Sequence, residues 1–153
     1  MSPRRDVSMP RDEVLGFLDL PLVATLTTLG RDGWPHSTGM WFVRFEDEIR
    51  MWTFAKSQKA TNLRRDPRAA FMVEEGSEYG ELRGVLVRAE VRTVTDFEAV
   101  AAVGRALYER YSQPYTGIPY EGVPQAEVER QAVKRVALVL PLTRVASWDH
   151  RRL

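Results

Sequence analysis

The sequence predicts a mainly β fold of the α+β kind: an antiparallel barrel of six or seven strands with two or three helices packed outside it. Short runs rich in β-branched residues follow one another through hairpin turns. They do not alternate regularly with helices, which disfavours a doubly wound parallel sheet and favours a barrel. The 3.6-residue apolar period is confined to a few stretches. With 153 residues the chain is read as one domain over residues 12–153, preceded by a polar arm over residues 1–11.

The first helix is expected over Pro10–Leu20, where Val14, Leu15, Phe17 and Leu18 share a face and Asp12 and Glu13 suit a first turn. Pro21 ends it. Leu22–Leu29 reads as a strand, Gly30–Gly33 as a hairpin turn and Trp34–Phe45 as a long second strand. Glu46–Glu48 turns the chain into a strand over Ile49–Phe54. Further strands are expected over Arg68–Glu74, Gly84–Thr95 and Arg135–Leu142, with a tail through Ser147–His150. Phe97, Val100, Ala101, Val103, Gly104, Leu107, Tyr108 and Tyr111 fit a helix capped by Asp96. Ser112–Pro124 reads as a Pro/Gly/Tyr loop, and Gln125–Val133 as another helical turn.

Composition narrows the functions. The net charge is +1, with arginines interspersed among acids, so no concentrated basic face for nucleic acid is predicted. There is no cysteine, and His36 and His150 are the only histidines, which argues against thiolate chemistry and the usual zinc sites. Neither a Gly-x-Gly-x-x-Gly fingerprint nor a Walker loop is present, and no catalytic triad can be assembled. Without a signal-like N-terminus or an apolar run near ~20 residues, a soluble cytoplasmic protein away from membranes is expected.

The stretch from Trp52 to Ala70 concentrates the remaining signal. Ser57 stands at a helix N-cap position, and Gln58, Lys59 and Ala60 supply the first unpaired N–H groups. With the helix dipole and Lys59, this end either holds a phosphate or is an ordinary capped surface helix. Two of the three lysines, Lys56 and Lys59, flank it. Ser37, Thr38 and Gly39 place small residues inside a strand, a pattern that marks close approach to the backbone. His36 is either a ligand contact or a strand-end histidine. Trp41 and Trp52, on neighbouring strands, either stack on a planar ligand or belong to the core. Trp148 either folds over its own barrel or reaches into a partner subunit. Tyr108, Tyr111, Tyr115 and Tyr120 read as helix packing followed by a loop cover.

Three segments carry a resemblance: Val-Ala-Thr-Leu-Thr-Thr-Leu-Gly-Arg-Asp-Gly-Trp-Pro-His-Ser, then Met-Trp-Phe, then Ser-Gln-Lys-Ala-Thr-Asn-Leu-Arg-Arg-Asp-Pro-Arg-Ala. Over Val14–Leu153 the chain resembles the pyridoxamine 5′-phosphate oxidase-like split β-barrel superfamily. More narrowly, helped by the ending Ser-Trp-Asp-His-Arg-Arg-Leu, it resembles the branch that uses coenzyme F420, an 8-hydroxy-5-deazaflavin.

The resemblance implies an FMN-binding type of split barrel that forms a homodimer with shared cofactor sites. Ser37, Thr38, Gly39, Met40, Trp41 and Phe42 would give backbone contacts to the ring system, and Trp52 and Thr53 would line the same face. Ser57, Gln58 and Lys59 stand in the place of a Ser-Arg-Lys phosphate motif, with Asn62 one helical turn on. Trp148 and part of 79–88 from the partner chain would complete the pocket. The chain departs from flavin-dependent B6 oxidases in lacking a basic residue at each end of 37–42, and arginine at Gln58. Three absent cations disfavour tight binding of a flavin mononucleotide phosphate. A longer, more anionic deazaflavin would use Lys56, Lys59 and Arg64 or Arg65. The implied activity is hydride transfer from reduced F420 to an unsaturated organic acceptor, with no identified catalytic side chain. The alternatives are an FMN-dependent oxidoreductase and a non-catalytic binder of flavin, deazaflavin or tetrapyrrole. A product proton would come from water, His36 or Tyr120.

Overall fold

The computed structural model describes residues 6–112 and 125–153. Nine strands are described: β1 (Ala24–Leu29), β2 (Pro35–Met40), β3 (Val43–Phe45), β4 (Glu48–Phe54), β5 (Arg68–Glu75), β6 (Arg83–Glu90), β7 (Arg92–Val94), β8 (Arg135–Pro141) and β9 (Arg144–Asp149). The helices are α1 (Arg11–Leu18), α2 (Gln58–Arg65), α3 (Phe97–Tyr111) and α4 (Gln125–Ala132). All pairings are antiparallel, in a five-stranded sheet β2-β1-β5-β6-β9 and a four-stranded sheet β3-β4-β8-β7. The result is the expected split barrel. None of the described helices is long and apolar enough to cross a membrane.

Two of the predicted long strands are each broken in two, and both breaks are corners where the chain passes from one sheet to the other. At Trp41–Phe42 the corner is held from outside, since Tyr111 Oη accepts the Phe42 N–H at 3.3 Å and donates to the Leu22 carbonyl at 2.7 Å. At Val91 the N–H turns to the Pro67 carbonyl at 2.8 Å and the side chain is buried. The predicted tail forms a further strand, β9, paired in register along β6.

Strand alternation divides each sheet into two faces. Leu26, Phe71, Val73, Val85 and Val87 turn inward and are at most 1% exposed. The outward face of the five-stranded sheet carries Thr25, Thr27, Ala70, Met72 and Leu86, all half-buried. Val14, Phe17 and Leu18 of α1 join the inner core. A second cluster, under α3, gathers Val43, Val100, Val103, Leu107 and Tyr111 against β8. Val7 and Met9, within the expected N-terminal arm, run beside β9: Asp149 N–H donates to the Val7 carbonyl at 2.7 Å and Met9 N–H to Ser147 Oγ at 2.9 Å.

The turn and cap signals correspond to real local structure. Gly33 takes φ +85° in the β1–β2 hairpin, a conformation open to glycine. Asp96 caps α3, its Oδ2 accepting Ala99 N–H at 3.0 Å.

Candidate functional site

Helix α2 begins where the sequence places it. Ser57 is extended (φ −65°, ψ 157°), and its Oγ accepts the Ala60 N–H at 3.2 Å. Thr53, at the end of β4, donates to the same Oγ at 3.3 Å, which ties the cap to the barrel. This leaves the leading N–H groups of the helix, those of Gln58 and Lys59, aimed out of its N-terminus. Lys59 is half-buried, and burial lowers its pKa below the ordinary lysine value of 10.5. Lys56 is exposed.

The other polar residues of α2 brace it against β1. Gln58 Nε2 donates to Asn62 Oδ1 at 2.7 Å, and Asn62 Nδ2 donates to Thr28 Oγ1 at 3.1 Å. Asn62 is fully buried and Thr28 nearly so, so both ends of the Asn62 amide are engaged within the protein. Arg65 donates to the Leu29 carbonyl at 2.5 Å, and Arg64 to the Ala55 carbonyl at 3.0 Å. Both arginines therefore hold α2 to the strands beside it.

Strand β2 presents two chemically different faces. Outward, Ser37 Oγ lies 2.8 Å from Thr27 Oγ1, and Gly39 is exposed. A Cβ on Gly39 would meet only Val23 Cγ1, at 3.5 Å, so nothing within the chain requires glycine there. Inward, Thr38 and His36 pair across β1 with Leu26 and Thr28. Thr38 Oγ1 and His36 Nδ1 are both buried and have no hydrogen-bond partner among the described residues. An unmet buried polar atom costs about 1–3 kcal/mol, which an incoming polar group would relieve.

At the β2–β3 corner the aromatic residues take separate positions. Met40 and Phe42 belong to the core, with Phe42 edge-on to Phe71 at 5.0 Å. Trp41 is 38% exposed and stacks on Tyr111 with centroids 4.6 Å apart and rings 2° from parallel. Trp52 is half-buried, edge-on to Tyr108 at 6.3 Å, with the Arg135 guanidinium 4.7 Å from its ring. A cleft of about 360 Å³ lies between these walls, lined by Val23, Gly39, Met40, Trp41, Trp52 and Leu107.

The structure thus brings Gly39, Met40, Trp41 and Trp52 to one cleft, and links Thr53 with Ser57 and Gln58 with Asn62. Trp52 and Thr53 do not share a face. Adjacent strand residues point oppositely, so Trp52 faces α3 whereas Thr53 turns into the barrel and reaches the cap. Trp148 lies on the outward face of β9, at the other edge of the sheet from β2, over its cross-strand partner Gly84. Within one chain it is not beside the cleft. Tyr115 and Tyr120 lie outside the described residues.

Three contributors escaped the sequence reading. Thr28 had no distinguishing signal among the threonines of β1. Leu107 was visible only as one apolar position of α3. Gly104 did carry a signal, because a glycine in mid-helix marks a close approach, and here the Trp52 ring occupies the place of its side chain.

The described residues thus form a split barrel with a tryptophan-walled cleft and a capped, lysine-bearing helix end. The family model described as pyridoxamine 5′-phosphate oxidase matches residues 10–149, and the chain belongs to that family. Among solved structures, it is similar to the conserved hypothetical protein Rv2991 from Mycobacterium tuberculosis, with 41% identity, a TM-score of 0.86, and coverage of 99% of this chain and 92% of that one. It is also similar to an F420 reductase, with 27% identity, a TM-score of 0.69, and coverage of 90% and 98%. The FAD and heme binding protein from Mycobacterium smegmatis shares the fold at 18% identity and a TM-score of 0.71, over 94% of this chain and 73% of that one. No curated protein matches the chain.

Proposed function

We propose that this chain is an oxidoreductase of the flavin-and-deazaflavin kind that binds coenzyme F420 and reduces an unsaturated organic acceptor. One observation carries it: β4 bears the Trp52 wall of the cleft on one face and, on the other, Thr53 bonded to the Ser57 cap, so a place for a planar ring and a place for an anion lie along one strand. The likeness to an F420 reductase supports the choice of cofactor.

The residues fit such a group. Trp41 and Trp52 offer aromatic walls, and Gly39 leaves its outward side open. Lys59 and the α2 N-terminus favour a phosphate, and Lys56 extends the positive charge outward. Asn62 acts by positioning Gln58, whose neutral amide replaces a family arginine. Bound, the reduced deazaflavin supplies the hydride, so the chemistry demands no acid–base dyad from the chain. What the chain contributes is orientation and exclusion of water.

The same proposal includes a cytoplasmic homodimer that handles neither nucleic acid nor membrane. The outward row Thr25, Met72, Leu86 and Ala146, apolar from β5 to β9, is where a second copy would sit. Trp148 shares that face and would reach the partner's site.

FMN is the second reading, favoured by the fact that the α2 N-terminus suits a single phosphate. Titrating F420 and FMN into the same apoprotein separates the two. F420 is expected to bind more tightly, and reduced F420 should be oxidised faster by an acceptor panel when bound than when free. Comparable weak affinities would remove the cofactor assignment, and no acceleration would leave a binding protein without turnover.

A further inference from the structure

Helix α3 packs on the four-stranded sheet, and its last turn also reaches the cleft. Leu107, Arg110 and Tyr111 stand at positions i, i+3 and i+4, so one stripe of the helix carries all three. Leu107 lines the cleft, and the other two hold its rims.

One rim is the segment between α1 and β1, which ends on Val23. Its alternate carbonyls all turn to α3. Arg110 Nη2 donates to the Leu18 carbonyl at 2.9 Å and also to the Leu20 carbonyl, and Tyr111 Oη donates to the Leu22 carbonyl at 2.7 Å. Arg44 on β3 grips Asp19 through two hydrogen bonds, of 2.9 and 2.7 Å, and ties the same segment to the second sheet. The other rim is the β2–β3 corner. Trp41 lies on the Tyr111 ring, and the Arg110 guanidinium carbon stands 4.8 Å from the centroid of the Phe42 ring. Two adjacent residues of α3 thus hold both rims.

Arg110 keeps this place at a cost. The side chain is half-buried, and its Nε is buried with no hydrogen-bond partner among the described residues. A methionine would fill the same slot without stranding a donor. It could not bond two carbonyls while laying a flat cation over an aromatic ring, which the planar guanidinium does.

We propose that Arg110 is a positioning residue that sets the spacing between Val23 and Trp41, and with it the grip of the cleft on a planar ring. The effect on ligands rests on the reading of this cleft as a cofactor site; the effect on the two rims does not.

The test compares the full chain with Arg110→Met and Arg110→Lys by near-ultraviolet circular dichroism, with the Trp41→Phe difference spectrum assigning the signal of the stacked tryptophan. The same proteins are titrated with F420 and with 8-hydroxy-5-deazariboflavin, which has the ring but no phosphate. Arg110→Met is expected to keep the far-ultraviolet spectrum of the parent while the Trp41 signal shrinks. It should bind both ligands more weakly by the same factor, roughly fivefold, the worth of re-ordering one or two loosened side chains. Arg110→Lys keeps a donor for the carbonyls but loses the flat cover over Phe42, and should fall between the two. If Arg110→Met fails to fold, Arg110→Lys carries both readouts against the parent. An unchanged Trp41 signal in the folded variants overturns the proposal. So does a loss confined to F420, which would place the effect of Arg110 at the phosphate and not at the ring. If the parent binds neither ligand, the cofactor reading fails separately, and the Trp41 signal alone decides whether Arg110 holds the rims.

Discussion

The Trp52 ring occupies the position where a side chain at Gly104 would stand. A Cβ there would come within 2.6 Å of the tryptophan Cη2, well inside van der Waals contact. Strand β4 and helix α3 are therefore keyed together at the back of the cleft.

Gly104→Ala should consequently destabilise the protein by about 1–3 kcal/mol, as expected for overpacking, despite alanine's better helix propensity. Gly16 in α1 is the control, because a Cβ there meets nothing within 4 Å. Gly16→Ala is expected to be neutral, or stabilising by up to about 1 kcal/mol. Urea denaturation of the two variants measures the contrast, and equal effects would dissolve the keying.

Asn62→Ala should cost about 1–3 kcal/mol, since it strands Thr28 Oγ1 in the interior and releases the Gln58 amide. Gln58→Ala, at an exposed position, should cost less. Reversed magnitudes in chemical denaturation would show that Asn62 is not the brace.

Lys59→Ala should weaken binding of the preferred cofactor roughly tenfold or more, the worth of a charge-assisted hydrogen bond of about 1.5–3 kcal/mol. Burial lowers the Lys59 pKa, so affinity should decline with rising pH earlier than an ordinary lysine value of 10.5 implies. A flat affinity profile through the alkaline range, together with an unaffected alanine variant, would take Lys59 out of the site.

Asp149 answers to acid. Its carboxylate receives the Arg151 guanidinium at 2.8 and 2.7 Å, and its pKa is held down at about 2, from 3.8. A depressed folded-state pKa contributes stability that is present above 3.8 and is lost as pH falls towards 2. Asp149→Asn should lower stability at neutral pH and flatten the acid limb between those values. Thermal melts of both proteins across that range give the comparison, and parallel curves would dismiss Asp149 as a contributor.

Much of this architecture was legible because it is written in local chemistry. Ser57 and Asp96 announce caps, Gly33 announces a turn, and the β-branched runs announce strands. The corners at Trp41–Phe42 and Val91 were not legible, because they depend on partners distant in the chain: Tyr111 in one case and Pro67 in the other. The segment now β9 read as a tail because strand pairing along β6, rather than any pattern of its own, gives it order. Of the expected site residues, Gly39, Met40, Trp41 and Trp52 line one cleft. Alternation then separated Trp52 from Thr53, and burial turned Asn62 into a strut.

The corner at Trp41–Phe42 also bears on the entropy of binding. One cleft wall is stacked on a buried tyrosine whose hydroxyl is tied to two backbone segments, and the other is wedged into a helix. Neither tryptophan has much rotamer freedom left to lose, so a ligand entering between them meets a preorganised mould. Affinity at this cleft is then governed by shape match and desolvation, with little ordering cost to overcome.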